Sequence, residues 1–517
     1  MPGTERATFG HSAARVAMPA ALALLVATAP SHAQSVWGIT PTLSADLTWT
    51  SNVDLLPKDQ RQGDFVLTVS PGLRFDHQTP RTQLQGSVSV PILYYARTGE
   101  ENNEVQPQVN LLGRAELAEN LFFVEAAASV QQTYLNPFGP TPPGLVNATD
   151  NRLTTATYRV SPYVEGYFTE TIRYRLQNDN IWSNLGNSPI GNDRVYTNRL
   201  FGGVERDPTP LGWGVDIDRT EYWFEDRSRT QLLELARLRS VYQPDPVWRF
   251  VVSGGYERNR FTLSEYDGAI YGVGMQWRPS DRTRLDAFWE HRFFGDSYLF
   301  NLDHRARMTA FNLSASRNIT SYPQELASLP SGTFVPGVLN EILRSRIPDP
   351  VERAQYIVQF MDQRGLPLVL SNPISLYAQQ IYLKEQASGT VGLLGVRNTV
   401  FFNAFWLKTT PIAGSGDDLP PDLAALENNT QTGAGVTWSY RLTPTATLTS
   451  GANYVRTKAN APLEGLTDQW TLRSVINRPI SPRTTAYAGV RYQHYVSDLD
   501  DDYDEVAVFV GLSHSFR

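Results

Sequence analysis

Asp76-His77 and Asp303-His304 each place a carboxylate beside an imidazole, and Glu290-His291-Arg292 adds a guanidinium to the same pairing. Such pairs are the raw material of acid–base and nucleophilic catalysis. Neighbouring residues of a strand, however, point to opposite faces, so a sequential pair in extended chain does not make a working dyad. The two Asp-His pairs also open segments rich in turn formers. Beyond residue 33 the histidines are His77, His291, His304, His494 and His514. There is no cysteine, which excludes thiolate ligands, cysteine nucleophiles and disulfides. No G-x-S-x-G nucleophile elbow occurs. The alternate acids Asp498, Asp500, Asp502 and Asp504 resemble a calcium loop in spacing. Tyr503 stands where an EF-hand needs glycine, and the closing glutamate is missing. A solvated outer loop is the expected role, with weak divalent binding as the alternative. The expectation is therefore no catalytic residue, no cofactor and no resident metal.

A second chemistry is carried by arginines spaced to share one face of extended segments. These are Arg74, Arg114, Arg159, Arg173, Arg175, Arg284 and Arg292, with Asp76, Glu116, Glu125, Glu165, Asp286 and Glu290 as opposing acids. In a water-filled pore such groups set charge selectivity, and arginine binds carboxylated sugars through two parallel hydrogen bonds. Equally, they can pair with one another and hold a polar interior together.

The elements that position them read as strands. Leu43, Ala45, Leu47 and Trp49 alternate with Ser44, Asp46, Thr48 and Thr50, and Val160, Val164 and Phe168 alternate with Arg159, Ser161 and Glu165. Similar alternation runs through most of the chain, in stretches longer than globular strands. Short turns end in Arg-Thr at 77–82, 279–283 and 480–484, and another lies at 303–309. Longer loops fall near 51–63, 97–105, 135–152, 184–193, 225–229, 262–267, 320–375, 411–430, 457–465 and 497–504. Short and long connections alternate, as in outer-membrane barrels. The prediction is an all-β, transmembrane, antiparallel up-and-down barrel of about 22 strands (20–24). An even count requires splitting 298–319 at Arg305-Ala306-Arg307. Trp37, Trp49, Tyr94, Tyr95, Trp182, Trp213, Trp248, Trp277, Trp406 and Trp438 suit interfacial girdles.

Residues 1–33 read as a secretory signal: Arg6 and Arg15, an apolar run ending near Ala29, and Ser31-His32-Ala33 at the cleavage site. The barrel then occupies 34–517. At its end Val506, Val508, Val510, Leu512 and Phe516 share a face. Gly511, Leu512 and Phe516 belong to a terminal strand resembling the barrel-insertion signal, although Arg517 follows the aromatic. One segment breaks the alternation. Leu339, Ile342, Leu343 and Ile347 have helical spacing. Asp349-Pro350 starts a second helix with an apolar stripe of Ala354, Ile357, Val358 and Met361, stopped by Gly365 and Pro367. This insertion, 320–375, either folds into the lumen as a plug or caps the mouth.

Trp49–Pro57, Ser70–Leu73, Glu290–Gly295, Asp303–Thr309, Ser314–Thr320 and Gly395–Thr399, with the helical insertion, carry a family likeness. In these motifs the chain resembles the outer-membrane barrels associated with PEP-CTERM/exosortase exopolysaccharide loci, with Asn318 where an acid is usual. The resemblance implies a large barrel tied to exopolysaccharide production or export and implies no catalytic site. The expected function is an outer-membrane channel for exopolysaccharide in a Gram-negative bacterium. A general porin, a structural or adhesive barrel and, more remotely, an outer-membrane hydrolase are the alternatives. Expected partners are outer-membrane lipid and lipopolysaccharide, the barrel-assembly machinery and exopolysaccharide. A formal charge of −7 speaks against nucleic acid.

Overall fold

The computed structural model describes residues 38–185, 194–224, 230–261, 264–327, 335–344, 346–367, 370, 373, 381–412, 428–461 and 464–516. The signal-like segment 1–33 and Trp37 lie outside them. A bilayer interior offers no hydrogen bonds to a backbone, so a spanning sheet has to close on itself. Twenty-four strand segments form one antiparallel sheet in chain order. Thr82–Ser89 and Ile92–Tyr95 both pair with Asp64–Gln78, as one strand interrupted at Val90-Pro91. Glu104–Val105 and Gln108–Ala118 are likewise one interrupted strand. The result is a barrel of 22 strands. It closes by pairing Gly38–Thr50 with the last strand, Tyr503–Ser515, Ala45 opposite Leu512 and Trp49 opposite Val508. Among the described residues no helix is long and apolar enough to cross a membrane. Crossing is the work of the strands.

Alternation sorts the two faces. Leu43, Leu47, Val506, Val508, Val510, Leu512 and Phe516 are exposed and point outward. Asp46, Thr48 and Thr50, of opposite parity, face the lumen, as does Gly511, which is paired with Asp46. The split at 305–307 is present, between Gly295–Arg305 and Thr309–Ser321. One connection had no counterpart among the expected loops. Phe293-Phe294 joins Thr283–Arg292 to Gly295–Arg305, and Gly295 takes the positive φ (92°) that this tight reversal needs.

The Arg-Thr turns at the periplasmic rim share a mechanism. His77 hydrogen-bonds with Thr82 (3.0 Å), His304 with Thr283 (2.9 Å) and His514 with Thr484 (2.9 Å). The carbonyls of Arg81, Arg282 and Arg483 accept the N–H groups of Glu116, Arg305 and Ser515. Three of the five histidines thus fasten turns.

Of the girdle candidates, Trp49, Tyr94, Trp182, Trp213, Trp248, Trp277, Trp406 and Trp438 have outward parity. Tyr95 does not. It faces inward, 5% exposed, and donates to the Val146 carbonyl (2.9 Å), because parity reverses between Tyr94 and Tyr95. Trp182, Tyr196 and Trp223 stack in a row, with centroids 5.5 and 4.9 Å apart. Beneath them on the same outward face, Asn198 donates to Asn178 (3.2 Å) and Asn180 (3.0 Å), and Asn180 donates to Asn178 (2.7 Å). Amides in a lipid-facing wall are tolerated when they bond one another.

Val508→Arg, on the lipid face, is expected to lower unfolding stability by about 2–4 kcal/mol. Ser44→Arg, on the lumen face, should change it by less than about 1 kcal/mol. Reversible urea unfolding in lipid checks both; equal losses would contradict the assignment of faces.

Candidate functional site: an occupied lumen

Ser321 and Ile381 are paired neighbours at the extracellular rim, and the insertion hangs between them. Its described helices fold inward. Helix Tyr322–Ala327 lies against the strands Phe122–Tyr134, Arg152–Thr169 and Ile172–Leu185 across the lumen. There the Tyr322 hydroxyl donates to Thr133 Oγ1 (2.7 Å), while Glu325 pairs with Lys384 on the strand Ile381–Leu394 (2.8 Å). This short helix had no signal in the spacing of apolar residues.

Lower down, helix Val335–Leu343 buries Val335, Val338, Leu339, Ile342 and Leu343 against Ala310, Leu394 and Phe401 of the wall. Gly392 permits this approach: a Cβ there would stand 2.9 Å from Val338. Helix Pro350–Arg364 begins as the sequence predicts, with Asp349 Oδ1 accepting the Glu352 N–H (2.8 Å). Gly365 ends it at φ 56°.

Its buried face differs from the expected stripe. Arg353, Ile357, Phe360 and Arg364 are buried, Met361 is half-buried, and Ala354 and Val358 are exposed. The helix is rotated because polar anchors outweigh two small apolar side chains. Arg353 donates to Asn340 Oδ1 (2.7 Å) and to the carbonyls of Ile347 (2.6 Å) and Pro348 (3.0 Å), locking the two helices together. Arg364 donates to the carbonyls of Arg397 (2.9 Å) and Val396 (3.0 Å), in the periplasmic turn. Its own carbonyl accepts Ser439 Oγ (2.9 Å) and Thr449 Oγ1 (2.8 Å). Burial, with Arg441 nearby, pushes the Arg364 guanidinium below its usual pKa. The plug therefore reaches from one rim to the other.

A second segment also turns inward. In 135–151, Thr141 and Gln469 exchange hydrogen bonds (2.8 and 2.9 Å), and Asn147 accepts from Arg491 (2.7 Å). Arg491 is itself paired with Glu505 (2.7 Å). The sequence marks this segment only as a long loop.

The lumen candidates all have inward parity: Arg74, Arg114, Arg159, Arg173, Arg175, Arg284, Arg292, Glu116, Glu165 and Glu290. They do not form rings; all but Arg74 and Glu116 fall in two sectors of ion pairs. In one, Glu165 lies between Arg114 (3.7 Å) and Arg175 (3.4 Å), Arg159 meets Glu125 (4.0 Å), and Arg173 pairs with Glu205. Arg114 and Arg175 also cover Phe123 (4.8 Å) and Tyr163 (4.5 Å), rings stacked at 5.0 Å. In the other, Arg237 binds Glu290 through two nitrogens (2.7 and 2.6 Å), Arg292 binds Glu257 (2.7 Å), and Arg284 binds Asp286 (2.5 Å). Glu116 accepts the Asn120 N–H (2.6 Å) at a turn instead.

Arg237, Glu205, Glu257 and Arg239, which meets Asp216 (2.6 Å) and Glu205 (3.5 Å), escaped the sequence reading. In Gln231–Tyr242 both faces carry leucines, so parity is ambiguous there. The Asp498–Asp504 acids do not converge. Asp502 accepts the Ser497 N–H (2.9 Å) and Asp504 meets His494 (2.8 Å). Among the described residues no His, Asp or Glu group is arranged to hold a metal ion.

No family model and no curated protein matches the chain. Solved structures similar to it include the FrpB iron transporter from Neisseria meningitidis, with 8% identity, TM-score 0.49, and coverage of 92% of this chain and 82% of that one. The siderophore receptor PirA from Acinetobacter baumannii has 9% identity and TM-score 0.47, over 92% and 80%. Pseudomonas aeruginosa OccK3 (OpdO) has 10% identity and TM-score 0.33, over 93% and 96%. Likeness this distant assigns no activity; the barrel stands on its own strand pairing.

Arg364→Ala removes the hydrogen bonds to the periplasmic turn, about 1.5–3 kcal/mol. Amide exchange across 346–367 should quicken roughly ten- to a hundredfold while the barrel stays heat-modifiable. Unchanged exchange would mean that the apolar contacts alone hold the plug.

Proposed function

We propose that the chain is an outer-membrane channel for a polysaccharide, narrowed by its own insertion. The observation that carries this reading is the insertion hung in a polar lumen from two adjacent strand ends. A wall of compensated charges, amides and hydroxyls keeps the passage wet without holding one sign of ion, which suits a long hydrated cargo. Arg114, Phe123, Tyr163 and Arg175 offer stacked surfaces over which sugar rings can slide. Tyr356 and Val358, exposed on the plug face turned away from the wall, border what remains open. The assignment of the cargo to exopolysaccharide rests on the motif resemblance.

The mutual pairing of the lumen charges also favours a second reading, a general porin or a structural barrel. Conductance separates them. Because Ser321 faces Ile381 in register, a short turn can replace 322–380 without disturbing the sheet. In planar bilayers the full protein should give small currents, and the deletion should raise conductance several-fold and admit larger dextrans. Unchanged conductance and size limit would overturn the constriction. Free passage of small sugars with no interaction with polymer would favour the porin.

A further inference from the structure

Near the extracellular rim, the plug and the wall border an open-sided cavity of about 410 Å³. Strand residues Tyr222, Leu233, Leu235 and Asn259 form one side, and Gln324 and Glu325 of the plug form the other. Asn259 is fully buried. Neither its Nδ2 nor its Oδ1 has a hydrogen-bond partner in the protein. Burying an amide with both ends unmatched is destabilising, and such a group in a native protein calls for a partner from outside the chain, a water, an ion or a ligand.

The chemistry of the missing partner follows from its neighbours. An unpaired N–H and an unpaired carbonyl on one amide call for a ligand group that both donates and accepts across a short span. Phosphate and carboxylate only accept, and would leave Oδ1 unmatched. Nor is a free cation offered to an anion. Arg199 is bound to Asp218 (3.0 and 2.5 Å), Arg292 to Glu257 (3.0 and 2.7 Å) and Lys384 to Glu325 (2.8 Å). Tyr222, Leu233 and Leu235 supply an apolar surface beside the amides, as the C–H face of a sugar ring requires.

We infer that this cavity is a binding site for an uncharged sugar unit, held through a vicinal diol on Asn259 and clasped between wall and plug. The inference deepens the polysaccharide reading and rests on it for biological context. It narrows the cargo from sugars in general to neutral ones. Since Gln324 and Glu325 belong to the plug, ligand binding and plug position are linked.

The test is calorimetric titration of the refolded full chain with cellotetraose, maltotetraose, laminaritetraose and mannotetraose, against tetragalacturonate. At least one neutral tetrasaccharide should bind, and the uronate should bind at least tenfold more weakly. Asn259→Leu should weaken the neutral sugar about tenfold or more while raising the denaturation midpoint, because an unmatched amide has gone. Gln324→Ala, on the plug, should weaken it without altering the barrel. No binding by any neutral tetrasaccharide, preference for the uronate, or equal affinity in Asn259→Leu would overturn the site. The soluble polymer of whichever sugar binds tells the sources apart. Competition by the polymer points to cargo in transit, and binding of the oligosaccharide alone points to a free sugar. Sugar binding without conductance would leave this site standing and remove the channel; conductance without sugar binding would do the reverse.

Discussion

The pairing of Gly38–Thr50 with Tyr503–Ser515 is the contact on which everything else depends. Without it two strand edges would stand in hydrocarbon, each with a row of unmatched N–H and carbonyl groups, a penalty of several kcal/mol per group. With it the sheet has no edge, the strand number is even, and both chain ends of the barrel lie at the periplasmic rim. Closure also fixes parity around the whole circumference. Once Asp46 faces inward opposite Gly511, the face of every later strand follows from its register.

A ring of 22 strands is too wide for wall side chains to fill, so the interior has to be furnished in other ways. This chain uses three. Arginines and acids on neighbouring strands neutralise one another, so their desolvation is shared. The segment 135–151 covers one sector. The insertion brings a hydrophobic cluster into a polar tube, where Leu339 and Ile342 are as buried as any core residue of a soluble protein. The apolar core of the molecule thus lies inside the barrel, and the plug is a small folded body with the wall as its other half.

Much of this was legible in the residues. Period-two alternation, the Arg-Thr turns and the break at 305–307 follow from local chemistry and reappear in the strand pairing, and Asp349-Pro350 and Gly365 bound a helix as capping rules require. What escaped shares a cause. Phe293-Phe294 is a two-residue apolar connection with no polar loop to announce it. Tyr95 follows Tyr94, and only register tells which of the two meets lipid. Ala354 and Val358 fit an apolar stripe, yet Arg353 reached back to Asn340 and the carbonyls of Ile347 and Pro348, Arg364 reached on to those of Val396 and Arg397, and the helix turned with them. The cavity around Asn259 exists only because residues more than sixty positions apart, Asn259 and Gln324, come together across the lumen. Periodicity reports the face on which a side chain lies and says nothing of its partner on another element.

Both ends of the insertion sit at the extracellular rim, on adjacent strands. A chain assembling from the periplasm has to carry every such connection through the closing barrel to the far side. This one stops inside, because on its way it meets Leu394, Phe401 and the carbonyls of Val396 and Arg397. The plug is, in this sense, a loop whose export was arrested.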